Sequence, residues 1–357
     1  MAKSIYEYVK DYGKYTFFEK KFTEVDNLVL SFLSYVDFED IVPGINKGSI
    51  KLKDASRIYF NKYTEKHVRK FVVAVREAVQ LLKEMANTRR YKDVDLFNYK
   101  YKVTRDMQFG ALCIRLPDKK IFVSFEGTDG YVSGWKEDFN IAIDFPLRAH
   151  KEAIRYLNMV THLLGPKIYV GGHSKGGNLA LVAAMYSRGY VFRKIIKIYS
   201  NDGPGLREKE FKSLRYKRVK DKYVHIIPNE GFVGILFKND DDYTVIKSNT
   251  KFLLQHDVTT WQIDKDKFVR SEMSEFTKRC RRALDTWIDN MDDKKKRKFI
   301  DNLFNIFDKA GIEDFMEVRQ AKFWTLYRIY KEARNIDKDS QKLLSTCFKD
   351  LFLEWRK

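Results

Sequence analysis

Apolar residues recur at helical spacing in several stretches of the 357-residue chain, and from about Tyr99 the spacing switches to two. Leu28, Val29, Phe32 and Leu33 predict a helix between Asp26 and Tyr35 with Asp26 as its cap. Val68, Phe71, Val72, Val75, Val79 and Leu82 share one face of a longer helix that starts near Thr64 and ends before Asn87-Thr88-Arg89-Arg90. From about Tyr99 to Phe125 the chain is β-branched and aromatic, interrupted at Pro117-Asp118. This predicts two or three antiparallel strands, the last being Ile121-Phe122-Val123-Ser124-Phe125. Ile154, Leu157, Val160 and Leu164 then mark an amphipathic helix stopped by Gly165-Pro166, and Ile168-Tyr169-Val170 a short strand ended by Gly171 and Gly172.

The almost wholly apolar segment from Asn178 to Met185 reads as a helix packed on a sheet, and Ile195–Tyr199 as the next strand. Strand, helix and strand in such close succession form a βαβ unit, which requires parallel strands with a crossover helix. Further strands are predicted at Tyr223–Ile227, Tyr243–Ile246 and Phe252–Leu254. Beyond Ser271 the period is purely helical. Met273, Phe276, Cys280, Leu284, Trp287 and Met291 form one stripe, Ala310-Gly311 is a stop, and later helices carry Phe323, Leu326 and Ile329, then Leu344, Cys347 and Leu351. The predicted class is α/β, a mainly parallel sheet flanked by helices over residues 1–270, with a helical C-terminal domain or cap over residues 271–357.

Composition narrows the function classes. With 44% hydrophobic and 33% charged residues, 6 Pro and 18 Gly, the chain is neither collagen-like nor generally disordered. Lysine and arginine number 68 against 49 acidic residues, a net +19 that suits an anionic membrane surface or nucleic acid. No recognisable nucleic-acid module supports the latter. The densest run, Lys294-Lys295-Lys296-Arg297-Lys298, reads as the solvated face of a helix start. Three widely spaced cysteines, Cys113, Cys280 and Cys347, suggest neither a disulfide framework nor a metal knuckle, and no cofactor is implied. The amino terminus lacks a signal-like apolar stretch and no run is long enough to span a bilayer, so the expected compartment is the cytoplasm.

The sharpest chemical signal is Gly172-His173-Ser174-Lys175-Gly176, a G-x-S-x-G sequence between an apolar strand and an apolar helix. A nucleophile elbow needs small residues two before and two after its serine, because the strained turn brings neighbouring backbone close. A helix starting at the serine also aims its dipole at a developing oxyanion. Among six histidines, the chain order Ser, acid, His leaves His225, inside a predicted strand, and His256, in a loop after one; His256 is the preferred base. Asp202, in Asn201-Asp202-Gly203-Pro204-Gly205 at a strand's carboxyl end, is the preferred acid, with Glu230 in Pro228-Asn229-Glu230-Gly231 as its rival. The oxyanion donors expected are the amides of Lys175 and Thr128, the latter in Glu126-Gly127-Thr128-Asp129. The Lys175 side chain either favours anionic substrates or points into solvent.

Phe125-Glu126-Gly127-Thr128, the pair Trp135 and Asp138, and Gly172 through Ala180 resemble the class 3 lipases of the α/β-hydrolase superfamily. Asp26-Asn27-Leu28, Leu33-Ser34-Tyr35, Asn201 through Gly205, Val233-Gly234 and Gln255-His256-Asp257 with Trp261 extend the likeness to a bacterial lipase-like, Mbeg-like family of unassigned function, over roughly residues 1 to 270. The resemblance implies an α/β-hydrolase fold with Ser174 as nucleophile, His256 as base and Thr128 near the oxyanion. Two departures stand out. Class 3 lipases usually carry Arg where this chain has Glu126, and their acid lies nearer Glu230 than Asp202. The expected activity is cleavage of a small-molecule or lipid ester through an acyl-enzyme. The alternative is a catalytically inert hydrolase shell that binds or scaffolds through its helical tail.

Overall fold

A computed structural model describes residues 2–64, 68, 72–104, 107–128, 136, 139–289, 292–312 and 323–342. Eight strands form one sheet in sequential order: β1 (Ser49–Lys51), β2 (Asp95–Thr104), β3 (Met107–Arg115), β4 (Ile121–Phe125), β5 (Ile168–His173), β6 (Ile195–Asn201), β7 (Tyr223–Pro228) and β8 (Tyr243–Ile246). The first four pair antiparallel, and β4 through β8 pair parallel. This is the α/β-hydrolase-like, mainly parallel sheet that the resemblance implies. The switch at β4 follows from connection length. Pro117-Asp118 and their neighbours make a tight turn between β3 and β4, whereas β4 to β5 and β5 to β6 are joined by helices.

The helices cover both faces. On one lie α1 (Ile5–Tyr12), α2 (Glu24–Phe32), α3 (Leu52–Lys62) and α4 (Val73–Ala86); on the other lie α5 (Arg148–Val160), α6 (Lys175–Met185), α7 (Gly189–Lys194) and α8 (Leu214–Val219). Alternation in β4 shows the sheet's two buried sides: Phe122 packs into the first cluster, while Ile121, Val123 and Phe125 pack into the second. A third apolar cluster joins α9 (Glu275–Asp289) and α10 (Asp293–Ala310), through Cys280, Leu284, Phe299 and Phe304, to Ile227 and the Val233–Phe237 segment after β7. α11 (Phe323–Ala333) packs on α10. Asp292 caps α10, accepting from the Lys295 amide at 2.8 Å, and Gly311 closes it at φ 70°, so the basic run does open a helix that ends at Ala310-Gly311.

Several boundaries differ from the sequence pattern. The second helix is capped by Thr23, and Asp26 is the N3 partner of a capping box. The helix reading from Thr64 becomes α4 from Val73, with Val68 helical and Phe71 outside the described residues. α5 stops at Val160, so Leu164 continues no stripe and is 97% exposed. Phe252–His256 is a 3-10 helix rather than a strand, with Phe252 at φ 54°. Trp135, Asp138, Met291, Leu344, Cys347 and Leu351 lie outside the described residues. Cys113 and Cys280 are buried, and burial pushes the Cys113 thiol up to about 12. Among the described residues no helix is long and apolar enough to cross a membrane.

The first face is organised around a buried ion pair. Arg90 and Asp26 are both fully buried, with Arg90 Nη2 at 2.5 Å from Asp26 Oδ2 and Nε at 2.7 Å from Oδ1. Tyr91 and Tyr8 hydroxyls donate to the same carboxylate at 2.5 and 3.2 Å, and Arg90 also donates to the Lys20 and Lys21 carbonyls. Removing one member of such a pair strands a desolvated charge. Arg90→Met is therefore expected to lower the unfolding free energy by about 3–5 kcal/mol, measured by urea titration; a loss below about 1 kcal/mol would contradict this account.

Candidate active site

The site forms where the parallel strands end. β5 stops at His173, Ser174 turns the chain at φ 55° and ψ −131°, and α6 starts at Lys175. A residue with φ in the left-handed region is strained unless its surroundings hold it there. Here the surroundings are backbone. A Cβ on Gly172 would lie 2.3 Å from the Gly176 carbonyl carbon, and one on Gly176 would lie 2.1 Å from the Phe125 oxygen. The two glycines therefore let β4, β5 and α6 converge, as the elbow pattern predicts. A Cβ on Gly127 would sit 2.4 Å from the His173 oxygen, which puts the Glu126-Gly127-Thr128 segment alongside the elbow, with Thr128 buried. Lys175 opens α6, so its amide faces outward at the positive end of that helix.

The two candidate acids part company. Asp202, fully buried at the end of β6 with φ 50°, lies against His256: Nδ1 and Oδ2 are 2.6 Å apart. Its other oxygen accepts from the Gly234 amide at 2.9 Å, and its own amide donates to the Ile226 oxygen at 2.7 Å, so the carboxylate is locked. Glu230 instead holds backbone, accepting from the Phe252 amide at 3.2 Å and from the Gln255 side chain at 3.3 Å. It braces the loop that carries His256. α9 braces the same loop, with the Phe276 ring 4.9 Å from that of Phe252.

His173, the residue before Ser174, was given no role by the sequence pattern, yet it ties the elbow to the His256 loop. Its Nε2 donates to the His256 carbonyl at 3.0 Å, so Nδ1 is left to accept from the Tyr35 hydroxyl at 2.9 Å. The His173 and His256 rings lie 4.5 Å apart, and Phe32, Tyr35 and Trp261 surround His173. The Trp261 indole donates to the Gln255 oxygen at 2.7 Å, fixing the far side of the loop. The only sequence trace of this arrangement is that Tyr35, Gln255 and Trp261 fall inside the segments that carry the family resemblance.

Two other histidines are structural. His225, in β7, donates from Nε2 to the Gly203 oxygen at 2.9 Å, which agrees with its reading as a packed strand residue. His150 bridges the Leu147 amide and Asn178 Oδ1, and Asn178 in turn donates to the Pro204 and Gly205 oxygens. The Lys175 side chain neither reaches solvent nor lies open to a substrate. It is 1% exposed and donates to the Gln108 oxygen at 3.3 Å, which corrects both sequence expectations for it. Ser174 is also only 1% exposed. Among the described residues no group of three His, Cys, Asp or Glu side chains could hold a metal ion.

Comparison with known proteins gives a family. A family model described as Mbeg1-like matches residues 85–305. The crystal structure of M37 lipase aligns with a TM-score of 0.36 at 15% identity, covering 59% of this chain and 68% of that one. No curated protein matches the chain.

Burial depresses three imidazoles: His150 and His225 to about 4, and His173 well below its ordinary value, the last also repelled by His256. Below about pH 6.5 the unfolded chain takes up protons that the folded chain refuses. Stability is therefore expected to be level above pH 7 and to fall as the pH drops from 6.5 towards 4. Urea midpoints measured across that range check this; a midpoint that held or rose between pH 6.5 and 5 would contradict it.

Proposed function

The chain belongs to the Mbeg1-like family, and on that footing we propose that it is a serine hydrolase that cleaves carboxylic esters. The observation that carries the reading is the buried Asp202 carboxylate 2.6 Å from His256 Nδ1, on a loop tied to the elbow through His173. With Nδ1 committed to Asp202, Nε2 is the nitrogen that takes the proton from Ser174 as its hydroxyl attacks the ester carbonyl. Asp202 holds the imidazole in that tautomer and stabilises the imidazolium that forms. The Lys175 and Thr128 amides stabilise the tetrahedral oxyanion, helped by the positive end of α6. The imidazolium then protonates the departing alcohol, and water, deprotonated by the same nitrogen, releases the acid from the acyl-enzyme. Glu230 takes no part in proton transfer in this scheme. α9 and the helices after it serve as a cap that steadies the His256 loop.

A second reading rests on one observation, the 1% exposure of Ser174. If that burial persists, the protein is a hydrolase-like shell that binds without turnover. Labelling of the full chain with a fluorophosphonate probe, followed by peptide mapping, separates the two. The esterase reading expects modification at Ser174. It also expects ester turnover to fall on the order of a million-fold in Ser174→Ala and about ten-thousand-fold in Asp202→Asn, with Glu230→Gln far less affected. Absence of labelling in folded protein, or full activity in Ser174→Ala, would refute it.

A further inference from the structure

The end of the sheet opposite the candidate site has its own character. After α5 ends at Val160, residues 161–167 form a short loop in which the Gly165 amide donates to the His162 oxygen at 3.0 Å. At its tip Leu163 is 62% and Leu164 97% exposed. The two adjacent leucines form a small apolar tip held in water on a structured loop. The loop is anchored among cations: Lys167 Nζ donates to the Arg193 oxygen at 2.9 Å, the Lys167 oxygen accepts from the Ile121 amide, and Lys194 Nζ reaches the Gly165 oxygen.

The segments that meet there, residues 117–120, 161–167, 188–197 and 214–222, carry twelve lysines and arginines against only Asp118 and Asp221. That bias is far steeper than the 68 to 49 of the whole chain. Lys119, Lys167, Arg188, Arg193 and Lys217 are exposed. Beside the same loop lies a cleft of about 500 Å³, lined by Val160, His162, Pro166, Phe97, Asn98 and Arg115 among others. The Arg115 guanidinium sits 4.7 Å from the Phe97 ring centroid and shares Asp95 with Lys51, so the group keeps a net positive charge.

We propose that this edge docks onto an anionic phospholipid surface, with Leu163 and Leu164 entering the bilayer interface and the surrounding lysines and arginines facing the headgroups. The two features fit a single partner. Cations near an acidic bilayer are attracted within a Debye length, and apolar side chains supply the second anchoring signal that charge alone lacks. Nucleic acid would use the cations but gain nothing from exposed leucines, since it is gripped through phosphates and aromatic stacking. A second copy of the chain would bring like charge against like. Ser174 and Asp202 follow the carboxyl ends of β5 and β6, so the docked protein would keep its candidate site turned away from the bilayer. The proposal does not depend on esterase activity.

Sedimentation of the full chain with vesicles of phosphatidylcholine, alone or mixed with phosphatidylglycerol, tests it. Binding is expected only to the anionic vesicles, weakening as salt is raised. The double variant Leu163→Ser, Leu164→Ser should lose on the order of tenfold in affinity while unfolding at the parent's temperature, because both side chains already face water. In Leu164→Trp the loop indole should shift its emission to the blue on anionic vesicles and not on neutral ones. Undiminished binding by the double variant, no blue shift, or preference for duplex DNA over anionic vesicles at equal salt would each overturn the proposal.

Discussion

Backbone meets backbone at one crossing, and the rest of the site is arranged around it. Gly172 at the end of β5, Gly176 in the first turn of α6 and the Phe125 carbonyl at the end of β4 approach to distances that leave no room for a side chain. That contact sets the angle at which α6 leaves the sheet and holds Ser174 in a conformation that an unconstrained chain would abandon. It also draws the Glu126-Gly127-Thr128 segment against the elbow. A bulkier residue at either glycine would displace helix and strand together, since close-packed interiors move as units.

Around that crossing the connections are polar and buried. Asn201 donates to the Gly172 oxygen at 3.1 Å and to Ser31, and Asn27 of α2 donates to Asn201 at 2.8 Å, so α2 is bonded directly to the end of β6 and, through Asn201, to the end of β5. Asn178 does the same from the other face, linking α6 to the turn that follows Asp202. In a low-dielectric interior such groups are costly when unpaired and restrictive when satisfied. They confine the elbow and the acid turn to one relative position, which a purely apolar interface would specify less sharply.

How much of this could be read from the residues depends on how local each cause is. The βαβ core was legible because β4, β5, β6 and α6 each carry their own period, and the elbow because its glycine spacing is a steric demand over five residues. Asp202 could be preferred to Glu230 but not firmly separated from it, since both follow a parallel strand in a turn. Only the fold reveals that one faces the imidazole and the other the backbone beneath it. Phe252–Leu254 looks like a strand because three apolar residues are compatible with either state; Phe276, in a distant helix, packs against that segment. Leu164 kept helical phase after its helix had ended, because periodicity carries no record of where hydrogen bonding stops. His173 occupies the unspecified position of the G-x-S-x-G pattern, and its partners Tyr35 and His256 lie 138 and 83 positions away.

That last separation bears on synthesis. The segment carrying Ser174 leaves the ribosome 83 positions ahead of the backbone carbonyl that His173 binds, and Phe276, which supports the loop, emerges later still. A growing polypeptide thus exposes the turn at Ser174 before the loop that will close over its neighbour His173 has been made.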